Sequence, residues 1–422
     1  MRTPTHTTVS ELFFAPVRRA LEEASHRRCC RGFSDESYLF AGIMRVIDQA
    51  QSGRDWVQQL QSVFRMPVTV ASFFKALRSP RREALVSQVA QNIRHQVDQD
   101  CDPSSDPLAE NPELDGYDVY ASDGHYEKAA CHTKPIGGKV YPPGYFFSLN
   151  LRSHSSSLLD VARPKAKREH DMAALKRLSA NQLRLGAPQG RKVIHVYDPA
   201  GIDYRQWYNW KTKGIYFISR EKANSRAQVI GLRQFDSSDP RNTGILADEH
   251  LGVSSGVLIR RVKYQDPASG TVFSFITNES TLPPGLIAFL YKLRWDIEKC
   301  FDEKKNKFQE RKAWATTDQA RSQQALFICM AHNLLLLLER KLDREEQIQD
   351  EKLLAKQRRR LQELERTIRN SGRTPNPLVQ NCTRITQRSL QFIRWVRNAL
   401  RATTPWYAAL AQLKPLMTAY LQ

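Results

Sequence analysis

The sequence predicts an α/β fold in which a strand-rich centre is flanked by helical N- and C-terminal regions. Up to about residue 98, apolar positions recur at helical spacing, whereas short runs between residues 117 and 276 show the alternation of strands. Beyond residue 341 the pattern is helical again and strongly basic. With 422 residues, of which 41% are hydrophobic, the chain is long enough for two or three domains with a sizeable core.

The composition points to a polyanionic partner. Lys and Arg number 64 and Asp and Glu 44, so the net charge is +20. Neutralising phosphates is what such an excess does best, which favours nucleic acid over the alternative of a merely basic soluble protein. Residues 1–11 lack a charged segment followed by an apolar run, and the run Leu334 to Leu338 is too short to span a bilayer. We therefore expect a cytoplasmic protein without membrane association.

The seven cysteines are scattered and form no CxxC pair. Zinc sites and disulfide frameworks need paired cysteines at short, regular spacings. The sequence therefore predicts neither kind of site.

Residues 1–98 are predicted to form a helical DNA-binding region. A basic helix that carries Lys75, Arg78, Arg81 and Arg82, with Ser72 as its N-cap, is predicted after a helix and a turn at residues 65–71. This is the layout of a helix-turn-helix reader. A small helical bundle with a basic rim gives the same pattern and remains the alternative. Residues 99–114 are acidic and proline-rich, which predicts a linker.

Two aspartates follow predicted strands. The strand at 117–122 leads into Asp123, and the strand at 191–197 leads into Asp198. Between them we predict two strands and a helix, at residues 144–152, 155–161 and 165–185. This order places the first and fourth strands side by side in a ribonuclease-H-like sheet. Facing carboxylates repel unless a divalent cation lies between them, although each aspartate alone is more simply a turn former or helix cap.

A third carboxylate lies on a predicted helix at 286–307, which follows a predicted β-rich insertion at about 224–276. One face of this helix is apolar, and beside it lies an arc of polar residues: Tyr291, Arg294, Glu298 and Lys305. On its own, such an arc is more simply a solvated face with an Arg294 to Glu298 ion pair. Together with Asp123 and Asp198, however, Glu298 indicates a metal-dependent catalytic domain, which we predict to span residues 115–341.

Further basic residues could contact DNA. Arg220 and Lys222 follow a predicted fifth strand at 215–219 and could hold a phosphate near the carboxylates or be solvated surface. The C-terminal region, 342–422, is predicted to be helical and basic, and from Glu339 to Gln422 there are 17 Lys and Arg against 8 Asp and Glu, a balance of 17 − 8 = +9. Contact with the DNA backbone is a reasonable expectation for it.

The residues of the polar arc spell the signature Y-x2-R-x3-E-x6-K. In this signature, the chain resembles bacterial cut-and-paste transposases of the insertion-sequence-4-like family. The phrases SDGHY around Asp123, VYDPAG around Asp198 and YFISREKAN around Arg220 are similar to that family as well. The resemblance covers about residues 115–341.

The resemblance implies a DDE triad of Asp123, Asp198 and Glu298 on a ribonuclease-H-like fold that binds two Mg²⁺ ions, with Mn²⁺ as a substitute. Tyr291, Arg294 and Lys305 would then contact phosphates of double-stranded DNA, both transposon terminal inverted repeats and target. It also implies an active homodimer, in a bacterial cytoplasm and associated with the nucleoid. Two metal ions about 4 Å apart suit in-line cleavage and strand transfer of a 3′-hydroxyl.

Several alternatives stay open. Asp302 lies near Glu298 on the same helix and could assist the metal site. Some relatives form DNA hairpins with a tryptophan from the insertion, but residues 224–276 contain none, so Phe235 or Tyr264 would have to serve. The protein could also be a catalytically silent, transposase-derived DNA-binding regulator, or a ribonuclease-H-like nuclease that acts on other nucleic acids.

Overall fold

The structure is a computed structural model of the 422-residue chain. It describes residues 6–28, 32–50, 52–127, 134–163, 169, 171–199, 202–253, 256–308, 312–378 and 388–418. Within this part of the chain, no helix has the length and apolar character needed to cross a membrane.

Among its described residues, the N-terminal region holds five helices: α1 Val9–Glu22, α2 Asp35–Asp48, α3 Gly53–Ser62, α4 Val70–Leu77 and α5 Pro80–Gln99. Each begins after a Ser or Thr whose hydroxyl accepts a hydrogen bond from a backbone N–H of the first turn. The predicted N-cap of α4 was wrong. Thr69 caps this helix, and Ser72 is the third residue of the helix, whose hydroxyl accepts a hydrogen bond from the Thr69 N–H and so completes a capping box.

The helical regions before and after the sheet share one hydrophobic core. Its centre is α11, Asp318–Glu346, which packs against α2 and α5 from the N-terminal side. The C-terminal helices are α12 Glu351–Asn370, α13 Leu390–Arg401 and α14 Trp406–Thr418. Residues of α13 and α14 join the same core, and Arg401 bonds to Asp48 of α2 at 2.7 Å. Except for α12, these helices thus pack as one body.

In the described part of the chain, nine strands form one mixed sheet. They are β1 Tyr117–Tyr126, β2 Gly144–Asn150, β3 Ser156–Val161, β4 Lys192–Tyr197, β5 Ile215–Arg220, β6 Gln228–Leu232, β7 Ile245–Gly252, β8 Leu258–Gln265 and β9 Val272–Thr277. The order is β3-β2-β1-β4-β5-β9-β8-β7-β6. β1 pairs in parallel with β4, and β4 in parallel with β5, whereas the other neighbours are antiparallel. The predicted α/β class and the adjacency of the first and fourth strands are confirmed.

The β-rich insertion continues this sheet. β9 pairs with β5, with Ile218 opposite Thr277, and β8, β7 and β6 follow outward from it. An ion pair at 2.8 Å between Arg260 and Asp248 is buried inside the insertion. The insertion therefore extends the central sheet instead of standing apart from it.

The segment predicted as a linker is packed against the rest of the molecule. It contains two short 3-10 turns, Pro103–Ser105 and Pro112–Leu114. Leu108 and Leu114 are fully buried, and Asp106 pairs with Arg152 of the β2–β3 turn at 2.6 Å. The acidic and proline-rich composition reflects turn formation and ion pairing here, and not an extended tether.

Two predicted helices are each divided. The helix expected at 165–185 is α6 Asp171–Arg177 followed by α7 Ala180–Arg184. The helix expected at 286–307 is α9 Pro284–Leu293 and α10 Trp295–Asp302, separated at Arg294, and then a π-helical turn, Glu303–Lys307. The remaining helix, α8 Tyr204–Lys211, lies between β4 and β5.

Candidate metal and DNA site

Asp123 and Asp198 meet at one end of the paired strands β1 and β4. β1 is longer than predicted, so Asp123 lies within the strand, opposite Phe147 of β2, and not after its end. Asp198 directly follows β4, whose parallel pairing with β1 places Ala121 beside Val196. The two aspartates therefore come together although 75 positions (198 − 123) separate them.

A third aspartate, which sequence reasoning missed, completes this cluster. Asp171, the first residue of α6, offers a carboxylate oxygen, and the three oxygens of Asp123, Asp171 and Asp198 lie within 4.8 Å of one another. The available signal was an acidic residue at the start of the helix that follows the third strand. That signal is weak, because acidic residues are common in the first turn of any helix.

The charges of this acidic cluster shift the ionisation of Asp123. Burial, followed by repulsion from Asp198 and Asp171, raises the pKa of Asp123 to about 7, although Arg294 opposes the shift. Hard oxygen donors brought this close suit a divalent cation such as Mg²⁺, which would relieve the repulsion. The residues present therefore fit a metal site.

Glu298 lies beside this acidic cluster and is joined to it through Arg294. Nη2 of Arg294 donates a hydrogen bond to Oε1 of Glu298 at 2.9 Å, and Nη1 lies 3.7 Å from Oδ2 of Asp123. Among the described residues, the group of mutually close carboxylates holds Asp171 and does not hold Glu298. Asp302, the last residue of α10, accepts a hydrogen bond from the Asn306 side chain and is likewise outside that group.

Aromatic contacts position the rest of the signature. Tyr291 is partly buried, with its ring centroid 4.7 Å from that of Phe275 and 5.6 Å from the guanidinium carbon of Arg294. Burial raises the pKa of Tyr291, and the charges of Arg294, Asp198 and Arg220 also act on it. The Tyr291 phenol thus lies between Asp198 of the acidic cluster and Arg220 at the end of β5.

Arg220 and Lys222 are both exposed where β5 ends. The guanidinium carbon of Arg220 lies 5.2 Å from the ring centroid of Phe273, and Ser219 just before it donates a hydrogen bond to the carbonyl of Asp198 at 2.9 Å. Both cations therefore lie at the same end of the sheet as the carboxylates. Lys305 lies in the π-helical turn, and its side chain lies outside the described residues.

Lys75 and Arg78 lie elsewhere, on and just after α4 in the N-terminal bundle, where both are exposed. The structure does not bring them to the carboxylates. Two further arginines of the predicted basic helix, Arg81 and Arg82, fall on α5 and form ion pairs with Asp35. Those two cations stabilise the bundle.

A buried polar network supports the π-helical turn that carries Lys305. Both carboxylate oxygens of Glu303 accept hydrogen bonds from Nη1 of Arg388, at 2.7 and 2.9 Å, and Arg388 also bonds to Glu339. Burial alone would raise the pKa of Glu303, but Arg388 and His332 lower it to about 2. The C-terminal region thus holds one end of the signature segment in place.

Trp295 is a second residue that sequence reasoning missed. It follows Arg294 at the division between α9 and α10 and is 61% exposed. By contrast, Trp207 and Trp210 are buried under the sheet, and Tyr264, one of the two aromatic residues considered for hairpin chemistry, is buried as well. A large exposed aromatic side chain beside a cationic site suits stacking on a nucleic-acid base.

Comparison with known proteins agrees with this geometry. Residues 115–334 match the family model described as "Transposase DDE domain". The protein of Sinorhizobium fredii named "Putative transposase y4zB" is 26% identical over 154 residues, which are 35% of this chain and 43% of that relative. The chain thus matches less than half of the length of this relative.

One similar solved structure is the cryo-EM structure of the piggyBac transposase synaptic complex with hairpin DNA. The alignment covers 98% of this chain and 81% of the chain in that structure. The TM-score is 0.36 and the sequence identity 12%. The family model, in contrast, covers more than half of the 422 residues and includes Asp123, Asp171, Asp198 and Glu298. This chain therefore belongs to the family of proteins with a transposase DDE domain.

Proposed function

We propose that the protein is a cut-and-paste DNA transposase of the insertion-sequence-4-like type. It hydrolyses phosphodiester bonds at transposon ends and transfers the freed 3′-hydroxyl into target DNA. The observation that carries this proposal is the meeting of Asp123 and Asp198 at the end of parallel strands, with the Arg294–Glu298 pair beside them, in a chain of the transposase DDE family.

In this proposal Asp123, Asp198 and Glu298 hold Mg²⁺, with Mn²⁺ as a substitute. Two bound divalent cations supply activation of the incoming oxygen and neutralisation of the outgoing one. Glu298 reaches the centre once a DNA phosphate replaces it as the partner of Arg294. In the structure, the Glu298 carboxylate is linked to Asp123 through the guanidinium of Arg294.

The cations and the phenol around the carboxylates position the scissile strand. Arg294 and Arg220 bind its phosphates by charge-assisted hydrogen bonds, and Tyr291 donates its phenolic proton to a phosphate oxygen. Lys222 and Lys305 extend the contact along the backbone. These residues supply the alignment that an in-line displacement requires.

The DNA is double-stranded and includes both terminal inverted repeats and the target. A net charge of +20 supports broad phosphate contact. Lys75 and Arg78, both exposed, belong to an N-terminal DNA-binding region, and residues 342–422 add backbone contacts. The active complex is a homodimer in a bacterial cytoplasm, associated with the nucleoid.

Cleavage of a linear duplex that carries the terminal repeats flanking the gene tests the proposal. We expect nicks at the repeat boundary in Mg²⁺ that disappear in EDTA and in the Asp123→Asn, Asp198→Asn and Glu298→Gln variants. Glu36→Gln, which removes one carboxylate of an exposed ion pair with Arg18, serves as the control and should cleave normally. Tight binding without cleavage in every condition would instead favour a DNA-binding regulator, and cleavage of RNA alone a ribonuclease-H-like nuclease.

A further inference from the structure

The carboxylates at the site are divided into two sets. Oxygens of Asp123, Asp171 and Asp198 lie within 4.8 Å of one another, whereas Glu298 bonds to Arg294 at 2.9 Å. The free protein thus presents Asp171, and not Glu298, beside the two aspartates of the proposed triad in a geometry that could surround a cation. This raises the question of what Asp171 does.

The position of Asp171 depends on a glycine. A Cβ at Gly124 would lie 2.5 Å from Oδ1 of Asp171 and 3.2 Å from the ring of Phe146. At the first distance one of the two groups has to shift, and the Asp171 carboxylate is the flexible one, so a Cβ at residue 124 of β1 would push this carboxylate from its place. The N–H of Gly124 meanwhile donates to Oδ1 of Asp123 at 2.8 Å. The same glycine thus orients one aspartate and makes room for the other.

Arg294 independently points to a ligand at this place. It is only 9% exposed, and within the described part of the chain its Nε and Nη1 have no hydrogen-bond partner. Nη1 is nevertheless directed at the acidic cluster, 3.7 Å from Oδ2 of Asp123. Unused donors on a buried guanidinium are costly, and an anionic oxygen next to a bound cation would satisfy them.

We propose that Asp171 is a metal ligand, which together with Asp123 and Asp198 binds a divalent cation in the DNA-free protein while Arg294 withholds Glu298. The inference rests on the proposed function, since it concerns the same metal centre, but it assigns the third ligand of the free state to a different residue. A divalent cation held by carboxylates requires a third anionic oxygen, whichever residue supplies it. In the structure, Asp171 lies close enough to Asp123 and Asp198 to supply this oxygen.

Mn²⁺ binding to the full chain without DNA tests this inference, with the free ion measured by electron paramagnetic resonance. We expect Asp171→Asn to weaken binding by at least ~10-fold, as loss of a ligand should, and Glu298→Gln to change it by less than ~2-fold. Gly124→Ala keeps every carboxylate but should weaken binding in the same direction as Asp171→Asn, because its methyl group would lie 2.5 Å from Oδ1 of Asp171 and displace this carboxylate. Asp318→Asn, at an exposed helix start, is the matched control.

Asp171→Glu, which keeps the charge at the start of α6, should retain more affinity than Asp171→Asn. It thereby separates a loss of ligation from a disturbed helix. If Asp171→Asn binds Mn²⁺ like the wild type while Asp123→Asn does not, Asp171 is no ligand, but the proposed metal centre survives. If the wild type binds no more Mn²⁺ than Asp123→Asn without DNA, this inference is refuted. The metal centre of the proposed function is refuted only if Mg²⁺-dependent cleavage of the repeat duplex is absent as well.

Discussion

Arg294 links two carboxylates that the sequence separates by 175 positions (298 − 123): its Nη2 bonds to Glu298 at 2.9 Å and its Nη1 lies 3.7 Å from Asp123. Lysine offers one ammonium group in place of this fork and cannot reach both sides. We expect Arg294→Lys to slow single-turnover DNA cleavage by ~100-fold, a typical result of misplaced reacting groups. Arg18→Lys, in an exposed pair, should cleave at the wild-type rate. Normal cleavage by Arg294→Lys would show that the fork is dispensable.

The raised pKa of Asp123, about 7, predicts how stability depends on pH in EDTA. An aspartate of the unfolded chain ionises near pH ~4, so between about pH 4 and 7 the folded state holds a proton that the unfolded state has lost. The contribution of Asp123 to the free energy of unfolding therefore falls as the pH rises through this window.

The measurement for this pH effect is the Tm of wild type and Asp123→Asn from pH 4 to 8. Asp123→Asn lacks the titrating group, so it should gain in Tm relative to the wild type as the pH rises, up to about pH 7. Mg²⁺ should raise the Tm of the wild type above pH 7, where the carboxylate is ionised, and have less effect on the variant. A difference between the two proteins that does not change with pH would contradict the assignment.

The Glu303–Arg388 pair predicts a large stability effect. Both residues are buried, so Arg388→Ala leaves a carboxylate without its main partner and should cost ~3–5 kcal/mol of unfolding free energy, measured in urea. Adding Glu303→Gln to this variant should restore part of the loss, because it removes the stranded charge. Arg18→Ala, in an exposed pair with Glu36, should cost less than ~1 kcal/mol. If Arg388→Ala and Arg18→Ala lost equal amounts of unfolding free energy, burial of the Glu303–Arg388 pair would not determine its contribution to stability.

Exposed Trp295 predicts a contribution to DNA binding. Base stacking on an aromatic side chain contributes ~1–3 kcal/mol, so Trp295→Ala should weaken binding of a single-stranded or nicked repeat end by ~5-fold or more. Trp295→Phe keeps a ring and should recover most of the affinity. Tyr407→Ala removes an equally exposed ring from α14 and should have no effect. Unchanged affinity of Trp295→Ala would show that this ring does not touch the DNA.

Much of the sheet could be predicted, because the alternation of apolar and polar residues that indicates a strand lies within the strand itself. The runs that lead to Asp123 and Asp198 were identified from period and flanking residues alone. The adjacency of the first and fourth strands followed from the predicted order of three strands, a helix and a strand. The packing of residues 99–114 could not be predicted in this way. Its composition is that of a linker, and only the contacts of Leu108, Leu114 and Asp106 with distant residues show that it is packed.

The candidate site was predictable to the extent that a motif is contiguous. Tyr291, Arg294 and Glu298 lie within eight consecutive residues, so their spacing could be read directly. The role of Asp171 could not be predicted, since an acidic residue in the first turn of a helix is common. Its place in the acidic cluster depends on the space left by the missing side chain of Gly124, 47 positions away (171 − 124). Likewise, the exposure of Trp295 depends on the division between α9 and α10.

By itself, the sequence determined the fold class, the pairing of two aspartates on neighbouring strands and the signature around Glu298. These properties depend on local periodicity and on short spacings, which each segment carries within itself. Only the tertiary structure decided that Asp171 joins Asp123 and Asp198, while Arg294 retains Glu298. The physical reason is that the distances between charged groups from different elements depend on how those elements pack, and the spacing of residues along the chain does not specify that packing.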